Sequence, residues 1–245
     1  MKKIFKIILQ YYLKIITKIV LWVHRPIVIA ISGSVNKSFV RDEIKRVLEA
    51  QGKTVRANPK NFNTEIGLPL AILNIQSGYN SYRRWLPVIF SAFGAIFQKN
   101  FPKYLVLELG VAQKGDMRYL LSLVKPRIVI VTEITQRYIE SFSGMDKLVS
   151  EYAYLAKNIK KDGKLILNWD NEKVRSLKKY AKVPVLYFGT NSSEIDGEIK
   201  EIKKDIDGIE IKMRYKDREI KTKINRFGAH HAKAKIVGWM VGDII

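Results

Sequence analysis

This 245-residue chain contains no cysteine. That absence excludes disulfides and thiolate-bound zinc and leaves an intracellular location open. Acidic residues are scarce: 23 Asp and Glu stand against 44 Lys and Arg, a formal charge of +21. Such an excess attracts nucleotides, nucleic acid or anionic lipid, unless it only reflects lysines written freely onto solvated faces. The lysines are dispersed and no nucleic-acid motif accompanies them, so no nucleic-acid partner is expected. There is no internal repeat and no low-complexity linker. There is also no apolar run fit to span a bilayer. The N-terminal one is interrupted by Lys14 and Lys18 and lacks a small-residue cleavage site, which argues against a signal peptide. Trp85 to Phe97 is apolar too, but about 13 residues cannot cross. That stretch reads as a buried helix with Pro87 near its first turn. What is present, 47% hydrophobic and 27% charged residues, is the composition of a globular chain that buries a core.

Residues 1–25 form a unit of their own. Lys3, Lys6, Gln10, Lys14, Thr17 and Lys18 recur every three or four positions, and Ile, Leu, Tyr, Phe and Val fill the rest. The pattern predicts an amphipathic helix with a narrow basic stripe and a wide apolar face. Two readings follow. Residues 1–24 lie on an anionic membrane surface, the inner face of the cell membrane for a cytoplasmic protein, or the apolar face docks on the domain or on a partner protein.

The most specific local feature begins at Pro26. Residues Pro26 to Ser32 read as a short apolar strand, and Gly33-Ser34-Val35-Asn36-Lys37-Ser38 turns into an amphipathic helix over Phe39 to Glu49. A strand, a tight turn carrying Lys-Ser and a helix start make an anion cradle from backbone N–H groups and the helix N-terminus. Lys37 would meet the outer phosphates of a nucleotide and Ser38 would ligate Mg²⁺. Asn36 stands where such loops carry glycine. Asn tolerates positive φ better than other residues with a Cβ, so the turn survives, but its side chain can crowd the phosphates.

Further strand signals recur at Lys53–Ala57, Tyr104–Leu109, Arg127–Thr132, Lys164–Asn168 and Val183–Phe188. Helical patterns separate them at Pro87–Gln98, Asp116–Leu123, Met145–Ile159 and Asn171–Ala181. Continuous apolar strands alternating with helices predict an α/β fold with a doubly wound, mostly parallel sheet, its ligand at the carboxyl ends of the strands. After Gly189 the segments Glu198–Lys203, Gly208–Tyr215 and Arg218–Lys223 are short, charged and alternating. They predict a small antiparallel hairpin region turning at Asp207-Gly208, before a last helix from about Ala229.

These residues resemble the Mur ligase family. The resemblance rests on an ordered set: Asn61 to Leu70 (NFNTEIGLPL), Val106 to Gly110 (VLELG) followed by Gly115-Asp116, the strand from Pro126 to Thr132, the Asp162-Gly163 turn with Asn168 and Asp170, and Gly228-Ala229-His230. It is closest to the branch that adds D-alanyl-D-alanine. It covers about residues 26 to 240, the family's central ATPase domain, so residues 26–245 are expected to form that domain. The family's N-terminal domain, which binds the UDP-sugar, and its C-terminal domain, which binds the incoming amino acid or dipeptide, have no counterpart in the sequence. The resemblance implies ATP-dependent amide-bond formation through an acyl phosphate in peptidoglycan precursor synthesis. Catalysis of that kind is mostly positioning and charge neutralisation. Lys37 and Glu108 would act at the reacting phosphate, and Ser38 and Glu108 would hold Mg²⁺. Gly33, Ser34, Asn36, Lys37, Ser38, Asn168, Asp170 and His230 would surround the ATP. Asn63 and Thr64 match a loop lining the site. Partners would be a nucleotide and other cell-wall synthesis proteins.

Several positions depart from the family's pattern. Besides Asn36, Phe39 replaces a small hydroxyl residue and Glu133 an Asn. Tyr138 stands in place of a metal-binding His, and Tyr152 in place of the Lys that is carbamylated to hold a second metal. Lys147 and Lys157 do not substitute for that Lys, since five residues along a helix is about 140° away. His231 and Ala234 replace two Asn. The adjacent His230 and His231 do not face one site and are not expected to bind metal. Asn168 and Asp170 could equally cap the helix beginning near Asn171. The departures leave an alternative to an active ligase: a membrane-associated pseudoligase that scaffolds other proteins with weak or no nucleotide turnover, or a relic whose fold outlived its function.

Overall fold

A computed structural model describes residues 3–59, 61–79, 82–137 and 139–245. Among the described residues nine strands form one sheet: β1 (Ile27–Ser32), β2 (Val55–Ala57), β3 (Tyr104–Leu109), β4 (Ile128–Val131), β5 (Lys164–Asn168), β6 (Val185–Thr190), β7 (Gly197–Asp205), β8 (Gly208–Tyr215) and β9 (Arg218–Ile224). Their spatial order is β2-β3-β1-β4-β5-β6-β7-β8-β9. Pairing is parallel from β2 through β7 and antiparallel from β7 through β9. The expected antiparallel hairpin region is present and continues the main sheet. β7 joins the parallel sheet at Phe188–Gly197 and carries β8 and β9 with it.

Eight α-helices among the described residues accompany the sheet: α1 (Lys3–His24), α2 (Lys37–Ala50), α3 (Gly67–Leu73), α4 (Tyr82–Gly94), α5 (Asp116–Leu123), α6 (Met145–Lys157), α7 (Glu172–Arg175) and α8 (Ala229–Ile244). Strand alternation sets the two faces. In β1, Ile29 and Ile31 pack with Val40, Ile44 and Leu48 of α2 and with the inner side of α8. Val28 and Ala30 point the other way, to α3, α5 and α6. Every residue of β3 and β4 is buried, as covering both faces requires. Glu151 of α6 reaches the start of α5, where its carboxylate oxygens accept N–H bonds from Gly115 at 2.7 Å and Met117 at 2.9 Å. A carboxylate there satisfies donors a helix start leaves open and suits its dipole.

α1 and α4 form a further layer. α3 is buried from Leu68 to Leu73. Its Leu68 and Ile72 face the sheet-side core, while Leu70 and Leu73 meet Leu9, Leu13, Ile16 and Val20 of α1 and Trp85 and Val88 of α4. One half of the apolar surface of α1 thus docks on the domain. The other half is open, with Ile4, Ile8, Tyr11, Ile15 and Trp22 exposed. No helix among the described residues is long and apolar enough to cross a membrane.

Two segments differ from expectation. α4 starts at Tyr82, so Pro87 is its sixth residue and not in its first turn. That helix is half open rather than buried, because Leu86, Phe90 and Phe93 point outward. The stretch predicted as a helix over Asn171–Ala181 divides into α7 and a 3₁₀ turn over Ser176–Tyr180, capped by Asn171, whose side chain accepts the Val174 N–H at 3.1 Å.

Candidate functional site

β1 is flanked by β3 on one side and β4 on the other, so the chain leaves β1 in both directions and opens a crevice at its carboxyl end. The loop after β1 is tied into that crevice. The Ser34 N–H donates to the Glu133 carbonyl at 2.6 Å, and the Thr132 hydroxyl donates to the Val35 carbonyl at 2.7 Å. Gly33 has φ 139°, and a Cβ on it would lie 2.2 Å from Oγ1 of Thr132, so this close approach needs glycine. The Ser34 hydroxyl accepts the Thr135 N–H at 3.1 Å and shares a hydrogen bond with the Tyr152 phenol from beneath. Tyr152 is fully buried, and burial pushes its pKa up to about 12 from 10.0, so it stays neutral.

Asn36 caps α2 in the left-handed region at φ 66° and makes no side-chain cap bond. Its amide turns instead to Glu133, 3.2 Å away. Lys37 folds back over the loop and donates from Nζ to the Gly33 carbonyl at 2.7 Å. Burial holds its pKa below the ordinary lysine value; Glu108 works against that shift and Arg137 adds to it. The loop from Ser34 to Phe39 lines a cavity of about 230 Å³, closed by Asn61, Asn63, Glu108 and Arg137. A second cavity of about 200 Å³ is lined by Asn63, Thr64, Glu65, Gln113 and Asp116, again with Lys37. Lys37 and Asn63 line both cavities.

Glu108 lies near the carboxyl end of β3 and is buried. Two residues that local pattern did not single out hold it. Asn58 accepts the Glu108 N–H on Oδ1 at 2.8 Å and donates from Nδ2 to its carbonyl at 3.3 Å. Arg41, on the buried side of α2, pairs through Nη1 with Oε1 of Glu108 at 2.8 Å and donates to the Asn58 carbonyl at 2.9 Å. The only hint in the sequence is spacing: Arg41 follows Val40 and precedes Ile44 on the inward stripe of α2.

The other expected site residues occupy varied places. Asn168 is buried; its amide donates to the Thr132 carbonyl at 2.7 Å and its Oδ1 accepts the Asp170 N–H at 3.1 Å. Asp170 accepts the N–H and hydroxyl of Thr190 at 2.9 and 3.1 Å and pairs with Lys233 of α8 at 3.0 Å. Neither caps α7. The His230 ring packs on Phe39 and on His231, with centroids 4.3 Å away in each case, so the starts of α2 and α8 meet through aromatic rings. Burial, with His230 and Arg226, holds the His231 pKa low. Tyr138 lies outside the described residues.

The donor set suits a nucleotide with one hard cation. Ser38 and Glu108 offer oxygen ligands of the kind Mg²⁺ takes. A second cation finds no ligand in the neutral Tyr152, and no group of three His, Asp or Glu gathers to hold a metal among the described residues.

The family described as Mur ligase middle domain matches residues 88–236. The UDP-N-acetylmuramoyl-tripeptide–D-alanyl-D-alanine ligase of Borreliella burgdorferi is 28% identical over 166 residues, covering 65% of this chain and 30% of that protein. The Escherichia coli enzyme of the same name is 23% identical over 153 residues, covering 61% of this chain and 28% of its own. The chain thus spans about 30% of the length of these relatives. Among solved structures, MurF from Acinetobacter baumannii superposes with a TM-score of 0.77 at 15% identity, over 96% of this chain and 47% of that one. MurF from Thermotoga maritima in complex with ADP superposes at 0.76 and 16% identity, over 96% and 49%.

Proposed function

Because this chain belongs to the Mur ligase family through its middle domain, we propose that it is the ATP-handling domain of an amide ligase that extends a peptidoglycan precursor. One observation carries the reading. Lys37 stands on the wall shared by the phosphate cradle and the cavity beside Asn63 and Thr64. A single ammonium there can touch a γ-phosphate on one side and a substrate carboxylate on the other.

In the reaction so proposed, a carboxylate oxygen attacks the γ-phosphorus of ATP and ADP leaves. The amine of the second substrate then attacks the acyl carbon, phosphate leaves, and the nitrogen loses a proton. Lys37 neutralises charge on the transferring group, and the loop N–H groups of residues 35–38 orient it. Mg²⁺, when bound, adds further charge neutralisation at the phosphates. Ser38 and Glu108 would hold it, with Arg41 sharing the Glu108 carboxylate. Asn63 and Thr64 face the substrate side. Asp170 and Lys233 hold the end of β6 against α8 near His230, which borders the base. Partners in this reading are a nucleotide, an anionic membrane surface reached through residues 1–24, and other cell-wall synthesis proteins. The protein then works in the cytoplasm at the inner face of the membrane.

The test is calorimetric titration of the full chain with ATP, with and without Mg²⁺, beside Lys37→Ala. The full chain is needed because α1 covers α3. Mg²⁺-dependent binding lost in Lys37→Ala is the expected result. No binding at millimolar ATP by folded protein overturns the reading and leaves the scaffold alternative.

A further inference from the structure

α1 is apolar on two opposite sides. Leu9, Leu13, Ile16 and Val20 are buried, and Ile4, Ile8, Tyr11, Ile15 and Trp22 on the far side are 57–72% exposed. The neighbouring α4 repeats the arrangement. Trp85, Val88 and Ala92 point inward, while Leu86, Phe90, Phe93 and Phe97 are 55–75% exposed at i, i+4, i+7 and i+11, one ridge of a helix continued by its 3₁₀ end. The two helices touch: the Tyr12 hydroxyl donates to the Ile89 carbonyl at 2.7 Å, and the His24 ring nitrogen lies 3.3 Å from the Ala95 carbonyl. Exposed apolar surface on this scale marks an interaction site.

Charge identifies what covers it. Residues 1–41 and 66–107, which contain both helices, hold eight and four Lys or Arg and no Asp or Glu. Every acidic residue lies elsewhere in the chain. The helices themselves carry Lys3, Lys6, Lys14, Lys18, Arg83 and Arg84 and no acidic residue, so a second copy meeting them would bring like charges together. Aromatic and aliphatic ridges among basic residues, with Trp22 and Tyr11 as amphipathic rings, match the boundary of an anionic bilayer. With no spanning helix among the described residues, the contact is peripheral.

We propose that α1 and α4 together form one membrane-binding platform, in which the Leu86–Phe90–Phe93–Phe97 ridge of α4 is a second insertion edge beside the open face of α1. This rests on the membrane reading of residues 1–24 and extends it to a part of the domain that lies some sixty residues further along the chain in sequence.

The experiment is co-sedimentation of the full chain with vesicles of phosphatidylcholine alone or with phosphatidylglycerol, beside two surface variants, Phe90→Glu/Phe93→Glu and Ile8→Glu/Ile15→Glu. Circular dichroism melts confirm that both variants fold. The expected result is binding to anionic vesicles only, weakened roughly tenfold by either variant. If the α4 variant binds as the wild type does while the α1 variant is lost, the platform is overturned and the residue 1–24 reading stands. If the wild type ignores anionic vesicles, both fall. If the wild type dimerises in solution through Phe90 and Phe93 without binding lipid, the occupant is a second copy and the platform is overturned.

Discussion

The Asn36 amide donates to Oε1 of Glu133 across 3.2 Å, so two residues that depart from the family's pattern are bonded to each other. One follows β1 and the other follows β4. Lys233 stands 3.7 Å from the same carboxylate oxygen and offsets its charge near the cradle. The two changes act as a pair: an Asn in the left-handed region needs an acceptor for its side chain, and Glu133 supplies it.

Asn36→Gly tests that pairing. Relief of the left-handed backbone and loss of the hydrogen bond oppose each other, so stability is expected to shift by less than about 1 kcal/mol in urea titration. ATP affinity should rise, because the side chain no longer borders the cradle. Unchanged or weaker binding in calorimetry refutes a crowding role for Asn36.

Removing one partner of the buried Arg41–Glu108 pair leaves an uncompensated charge. Arg41→Ala is expected to cost about 3–5 kcal/mol. Arg41→Met combined with Glu108→Leu should cost less than Arg41→Ala alone. A double-mutant cycle from denaturant curves measures this, and additive losses would show that the pair does not act as a unit.

Lys37 is half-buried, and its lowered pKa means that the fold disfavours its proton. A lysine shifted down contributes stability that is present above its unfolded pKa and lost as pH falls through the folded value. Near neutral pH, Lys37→Met should therefore raise Tm by about 2–4 °C while ATP no longer stabilises the protein. A lower Tm in thermal melts would mean that the Gly33 carbonyl bond outweighs desolvation.

Tyr152 predicts a slope at alkaline pH. Its phenol is pushed up to about 12 from 10.0 by burial, so its contribution is complete below pH 10 and fades as pH rises from 10 to 12. The amount lost is about 2–3 kcal/mol. Tyr152→Phe should have a shallower slope, with the remainder coming from Tyr12, Tyr119, Tyr187 and Tyr215, which burial also raises, and at pH 7 it should cost about 1 kcal/mol for the lost bond to Ser34. Parallel slopes in wild type and variant between pH 10 and 12 would place the phenol in contact with water.

Local pattern carried much of the fold. Unbroken apolar runs in β1, β3 and β4, and Gly33 before Lys37, are properties of a few neighbouring residues, and those elements formed where that chemistry directed them. The failures share a cause. The stretch after Asn171 has helical spacing, yet Asn171 caps only a short turn that relaxes into a 3₁₀ segment. The Trp85–Phe97 run is apolar enough to bury, but α1 and α3 offer contact to only one of its sides. The hairpin strands, by contrast, paired antiparallel as their alternation directed, and only their seat beside β6 was not written in it.

By itself, the sequence determined most of the elements, their order, the glycine turn into α2 and the family, because each is encoded in adjacent residues or in a fixed succession of them. Tertiary structure alone decided which half of α1 is covered, that Arg41 rather than solvent meets Glu108, and that Tyr152 supports Ser34. Those outcomes depend on side chains from distant strands and helices arriving at one point, as Asn36 and Glu133 do across 97 positions. Spacing along a chain holds no record of such meetings; they form only when the sheet closes and apolar burial fixes which faces touch.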